Sequence, residues 1–287
     1  MIARVVLWSL LAGCAQAGSG DSAARDASTA DAATGGVDDV DRLAMVLVIG
    51  DSVAAGFNAH GQNAPGGHGY ARLLFAENLE PVHPSLMFFE VTHSGADSSE
   101  VLADLRVALG GSLPKAVPGD VLILINVGGN DFNDHLATIL DTSHTTAAAS
   151  TLRSNLAEMI GLLRERYAAG GNHVELMVDN LYDPTDGMGT VPAQFTQGFC
   201  ETIQNPLLNA SLRMTALHNL DLMNQAIADE TAAQGGHLID LHAAFLGHGM
   251  NAGADRWIDA DCAHPLDQGH DLIRRLIALR LKTRRSR

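Results

Sequence analysis

The sequence predicts an α/β protein, a three-layer α/β/α sandwich built around a parallel five-stranded sheet. Three observations lead there. Five short runs rich in Val, Ile, Leu and Met are nearly continuous in apolar residues, as strands buried on both faces of a parallel sheet must be. Longer stretches with helical spacing separate several of these runs. Strand and helix patterns alternate along the chain, which places helices against both faces of the sheet. With 287 residues, 46% of them hydrophobic, the chain has enough apolar material for one such core.

The first strand is expected at residues 45–49, where Met45-Val46-Leu47-Val48-Ile49 ends at Gly50. The second spans 86–91, the third 121–127, the fourth 173–178 and the fifth 237–241. Leu152, Leu156, Met159, Leu163 and Tyr167 recur at spacings of three and four, so they form one buried helical stripe, stopped at Gly170-Gly171. A second long helix is expected around 206–234, opening on Pro206 and closing at Gly235-Gly236. Asp267 opens the last helix, over residues 268–282. In such folds ligands sit beyond the carboxyl ends of the strands.

The chain ends carry different information. Arg4, the apolar run at 5–11 and the small residues after it read as an export signal over residues 1–17. Leu11-Ala12-Gly13-Cys14 resembles the lipobox of bacterial lipoproteins and is the favoured reading. It makes Cys14 the lipidation site and a membrane tether, on the periplasmic side or at the cell surface. Ala15-Gln16-Ala17 competes as an ordinary signal peptidase site, which would release the protein as a secreted one. Residues 15–42 are almost all Ala, Gly, Ser, Thr and Asp with no aromatic residue. They bury too little to offset their ordering entropy and are expected to be a flexible tether before a domain at 43–287.

A net charge of −15 argues against nucleic acid as a partner. Residues 274–287 nevertheless hold seven of the 18 basic residues and no acid, which fits the solvated end of the last helix. No run approaches the ~20 apolar residues of a membrane-spanning helix. With Cys14 lipidated or removed, Cys200 and Cys262 remain as a pair in an oxidising compartment. A disulfide between them is expected in preference to two free buried thiols, and it would pin the segment beside Cys262. A monomer is expected.

Four segments at strand ends carry chemistry. Gly50-Asp51-Ser52 follows the first strand, so the Ser52 hydroxyl can project into a cleft. A serine hydroxyl is a poor nucleophile until a base takes its proton. Asp261-Cys262-Ala263-His264 precedes the last helix, and Asp-x-x-His on a turn lets the carboxylate hold one imidazole nitrogen while the other stays free for a serine. Ser94-Gly95 follows the second strand and Gly128-Gly129-Asn130-Asp131 the third. The Gly95 N–H and the Asn130 amide are donors of the kind an oxyanion requires. Each segment alone is a weak signal, since Gly50-Asp51-Ser52 and Gly128-Gly129-Asn130-Asp131 also read as ordinary turns, and Asp261 and His264 as a surface acid and a helix cap; their common placement on one rim sets them apart.

Over residues 43–283 the chain resembles the SGNH, or GDSL, hydrolases, named for the Ser, Gly, Asn and His of four blocks. Here these are Ser52, Gly95, Asn130 and His264. Val53 stands where the family most often has leucine. The resemblance implies a flavodoxin-like sandwich and hydrolysis of carboxylic esters without cofactor or metal. Ser52 would be the nucleophile, His264 the base and Asp261 its orienter. The backbone N–H groups of Ser52 and Gly95 and the Asn130 amide would hold the oxyanion. Asp51 and Asp131 are expected to organise their loops by holding backbone amides. His60, His68 and Phe195 are candidate substrate contacts, although the two histidines also read as surface residues. The loop at 184–200, with Met188, Val191, Phe195 and Phe199, either lines an acyl pocket or packs on the body of the domain. The expected substrate is a short acyl or acetyl ester of a lipid, a small molecule or a glycan. A non-catalytic tethered binder of lipid or glycan is the alternative.

Overall fold

Runs rich in apolar residues form five strands: β1 (Leu43–Gly50), β2 (Met87–Thr92), β3 (Asp120–Asn126), β4 (Val174–Asp179) and β5 (His237–Ile239). All pair in parallel, in the order β2-β1-β3-β4-β5. The computed structural model describes residues 42–284 except 134, 169 and 170. The export signal, Cys14 and the tether up to residue 41 lie outside the described residues.

The helices are α1 (Tyr70–Leu73), α2 (Ser98–Gly110), α3 (Gly129–Asn133), α4 (Leu136–Leu140), α5 (Thr142–Tyr167), α6 (Phe199–Ile203), α7 (Ala210–Ala233), α8 (Leu241–Phe245) and α9 (Asp267–Arg284). Strand side chains alternate between faces, and this divides the core in two. Met45, Leu47 and Ile49 of β1 join Ile123 and Ile125 of β3 in a layer closed by α2, α5 and α7. Val46, Val48, Leu122 and Leu124 enter the opposite layer, closed by α1, the π-helical turns at Leu74–Leu79 and α9. The three-layer expectation holds, and the stripe from Leu152 to Tyr167 is the buried face of α5.

Several boundaries differ from the sequence reading. The helix expected from Pro206 begins at Ala210, because the Asn209 side chain accepts the Leu212 N–H at 3.0 Å and caps it there. The fifth strand stops at Ile239 instead of 241, because Asp240 turns to cap α8, accepting the Ala243 N–H at 3.1 Å. The last helix runs slightly beyond its expected limits, over Asp267–Arg284.

β1 and β3 are neighbours while their outgoing connections diverge, β1 toward β2 and β3 toward β4. A crevice opens where strand order reverses in this way. Ser52 and Asn130 follow the two strands that flank it.

Candidate active site

The turn after β1 is held from both sides. At Gly50, with φ +148°, a Cβ would stand 1.8 Å from the Asn126 carbonyl oxygen, so only glycine lets β1 and β3 close here. Asp51 is fully buried and accepts the Val53 N–H at 2.9 Å, in the amide-holding role expected of it. Burial pushes its carboxyl up to about 7, against the Val53 hydrogen bond that favours the charged form. Asp179, at the end of β4, is raised to about 7 for the same reason, although Asn126 Nδ2 donates to it at 3.1 Å.

Ser52, next in the chain, places its Oγ 2.8 Å from His264 Nε2. His264 Nδ1 lies 2.6 Å from Asp261 Oδ2. The other oxygen of Asp261 accepts the backbone N–H groups of Ala263 at 2.9 Å and His264 at 3.1 Å. Burial alone would raise the Asp261 carboxyl, but the hydrogen bonds from His264 and these amides outweigh it and hold the group below its usual range. An acceptor saturated in this way fixes the imidazole with a proton on Nδ1 and a free lone pair on Nε2 toward the hydroxyl. Such an arrangement can take a proton from Ser52 and return it.

The two expected donors, Gly95 and Asn130, follow β2 and β3. Gly95 has φ +87° and open space where a side chain would project. One hydrogen of the Asn130 amide is committed to the Ala96 carbonyl at 2.8 Å, which orients the side chain and leaves the second N–H available. Asp131 accepts the Ser98 N–H at 2.9 Å and its hydroxyl, tying the β3 turn to the start of α2. Burial raises the Asp131 carboxyl while both Ser98 bonds oppose that rise.

Cys200 and Cys262 form a disulfide. The approach depends on Gly198, at φ +56°, where a Cβ would lie 2.9 Å from that of Asp261. The Phe199 N–H then reaches the Asp261 carbonyl at 2.9 Å.

A cavity lies against the chain neighbours of the serine and histidine. Asp51, Val53, Gly129 and Ala263, the chain neighbours of Ser52, Asn130 and His264, are among its lining residues. Phe132, Ile139, Leu181, Phe199, Leu217 and Leu220 give it an apolar lining. The loop at 184–200 is divided: Pro184, Thr185, Gly189 and Phe199 line the cavity, Val191 is buried in the core, and Met188 is 64% exposed.

Phe195 stands outside the lining, beneath the Arg256 guanidinium at 4.7 Å from its ring centre. His60 and His68 are outside it too. Their rings are 5.5 Å apart, and both join the start of α9, through the His60 N–H to Asp267 at 2.7 Å and His68 Nδ1 to Asp267 at 3.0 Å. Two site residues escaped the sequence reading. Tyr182 donates its hydroxyl to the Ala263 carbonyl, and Asn58 contacts Asp261. Among the described residues no group of three or more His, Cys, Asp or Glu side chains is arranged to hold a metal ion.

The model of the GDSL-like lipase/acylhydrolase family matches residues 48–272, most of the chain and all four segments of the site. The chain belongs to this family. Members are in general carboxylic ester hydrolases. Solved structures agree with this GDSL hydrolase in fold. An extracellular lipase from Streptomyces rimosus is 21% identical, with a TM-score of 0.55, covering 83% of this chain and 99% of that one. Phospholipase A1 from Streptomyces albidoflavus is 22% identical, with a TM-score of 0.57 and coverage of 84% and 99%. The lipase Lip_vut3 from a goat rumen metagenome is 19% identical, with a TM-score of 0.59 and coverage of 83% and 96%. No curated protein matches the chain.

Proposed function

We propose that this GDSL hydrolase cleaves carboxylic esters through an acyl-enzyme formed on Ser52. The observation that carries the reading is the unbroken chain of contacts from Ser52 Oγ to His264 Nε2 at 2.8 Å and from His264 Nδ1 to Asp261 at 2.6 Å.

Ser52 Oγ attacks the ester carbonyl carbon as His264 Nε2 takes its proton. Asp261 stabilises the imidazolium. The carbonyl oxygen becomes an oxyanion held by the backbone N–H groups of Ser52 and Gly95 and by the free N–H of Asn130. Collapse breaks the bond to the alcohol oxygen, which leaves with the proton from His264. Water then enters, gives a proton to His264, attacks the acyl-serine and releases the acid, and Ser52 recovers its proton.

The apolar cavity supports an ester with an apolar acyl chain, because burying each methylene contributes about 0.8 kcal/mol. A series of p-nitrophenyl esters of rising chain length tests both points. Hydrolysis by the wild type and none by Ser52→Ala is the expected result. Absence of turnover at every chain length in the folded wild type would favour a non-catalytic binder of lipid or glycan.

Export fits the same reading. The Cys200–Cys262 disulfide is the kind of bond that persists in oxidising compartments, and the lipobox-like Leu11-Ala12-Gly13-Cys14 would supply a lipid tether at Cys14. Radiolabelled palmitate incorporation into the wild type, abolished in Cys14→Ser, distinguishes the tethered from the freely secreted form.

A further inference from the structure

The loop between Ser52 and α1 reaches across to the segment that carries His264, and Asn58 makes two of the contacts. Asn58 holds a left-handed backbone at φ +63°. Its Nδ2 donates one hydrogen to Asp259 Oδ2 at 2.8 Å and the other to Asp261 Oδ2 at 3.1 Å. That second oxygen is the one facing His264 Nδ1. Two carboxylates two residues apart therefore converge on a single amide nitrogen. The neighbouring residue, Phe57, lays its ring 4.6 Å from the His264 ring and accepts from His270 Nε2 at 3.3 Å.

We infer that Asn58 is a positioning residue for the proposed hydrolysis, bridging Asp259 and Asp261 so that Asp261 keeps its oxygen on His264. Without a neutral double donor between them, the two carboxylates repel, and the repulsion works against the Asp261 Oδ2 contact with His264 Nδ1, although the other Asp261 oxygen is held by the Ala263 and His264 N–H groups. Both backbones are fixed: the Asp259 N–H donates to the His264 carbonyl at 2.8 Å and its carbonyl accepts from Cys262 at 3.1 Å, while the Asp261 carbonyl accepts the Phe199 N–H at 2.9 Å, so the repulsion falls on the side chains. Asn58 touches no reacting atom and acts only through Asp261. The inference rests on the assignment of Ser52, His264 and Asp261 above.

Asn58→Asp is the informative variant, because it keeps the shape and replaces the donor by a titrating carboxyl. An ordinary aspartate has a pKa of ~3.9, and two neighbouring carboxylates push it upward. The other charged or titrating groups around His264 are Asp51, Asp267 and His270, with Tyr182 beneath Ala263, and all are unchanged in the variant. While protonated, residue 58 is neutral and donates its single O–H to one of the two carboxylates, so part of the activity persists. As pH rises it ionises, the three carboxylates repel, and kcat/KM falls over a range where the wild type is rising or level. Adding Asp259→Asn restores a donor and should return the alkaline activity. Asn58→Ala should lower kcat roughly 10²-fold with KM little changed, the cost of a misplaced base.

The His264 Nδ1 proton, followed by NMR in the absence of substrate, supplies a second readout. Its far-downfield resonance should be present in the wild type and lost from Asn58→Asp as pH rises. A wild-type pH profile and an unaltered resonance in Asn58→Asp would overturn the inference. So would loss of activity at every pH that Asp259→Asn does not relieve. A wild type that hydrolyses no ester defeats the catalytic assignment by itself, while the resonance still decides the role of Asn58.

Discussion

Asn130→Ala deletes the amide that completes the donor set without touching the Ser52–His264 contact. Turnover should fall ~10²–10³-fold with KM nearly unchanged, since the lost bond forms only as the oxyanion develops. Steady-state kinetics on a soluble ester check this, and an unchanged kcat would remove Asn130 from the oxyanion site. Asp51 gives a pH prediction. Its folded pKa is about 7 against 3.8 for the free side chain, so the native state holds a proton that the unfolded chain releases in between. Stability from this group is fully present below the lower value and is lost as pH rises through the upper one, by at most about 1.4 kcal/mol per pH unit. Asp51→Asn keeps the acceptor for Val53 and removes the titration. Urea denaturation should therefore show the variant gaining on the wild type between pH 5 and roughly 8; parallel curves would contradict the burial argument. Ser52, Gly95, Asn130 and His264 were legible because each sits just past a strand or just before a helix. Asn58 and Tyr182 were not, because their partners lie far along the chain and no local spacing marks them.

At the scale of elements, α2 is the support for the turn that carries Gly95. Asp97 caps it, accepting the N–H groups of Ser99 and Glu100 at 2.9 Å, while Glu100 returns a bond to the Asp97 N–H at 3.2 Å. Asp97→Ala should cost about 1 kcal/mol by chemical denaturation, and no measurable loss would mean the cap is redundant. Strands were legible in number and order because apolar runs on a parallel sheet leave a strong signal. Their ends were set by side chains that prefer to cap: Asn209 delays α7 and Asp240 shortens β5. The short helices α3, α4 and α6 left no periodic trace, being only five residues each. They supply much of the cavity wall, which is why the cavity could not be read from the chain.

For the whole molecule, the Cys200–Cys262 bond joins the α6 region to the segment that bears His264. It closes a loop with a sequence separation of 62 residues, worth ~4 kcal/mol by the chain-entropy argument. The double variant Cys200→Ser, Cys262→Ser should lose stability of that order in thermal or urea unfolding, and should also lose kcat because the histidine segment is no longer pinned. Retained stability would show that packing alone holds it. The pairing was legible from compartment logic, whereas the close approach at Gly198 that permits it was not, since a glycine in a loop carries no mark of what it faces.

The central claim is that the Ser52 hydroxyl is activated by His264. Mass spectrometry after treatment with a serine-directed phosphonate tests it most directly. The wild type should gain one adduct, on the peptide containing Ser52, with loss of ester hydrolysis at the same rate, and His264→Ala should label far more slowly. Continued hydrolysis by a protein fully labelled at Ser52, or hydrolysis by Ser52→Ala, would contradict the account.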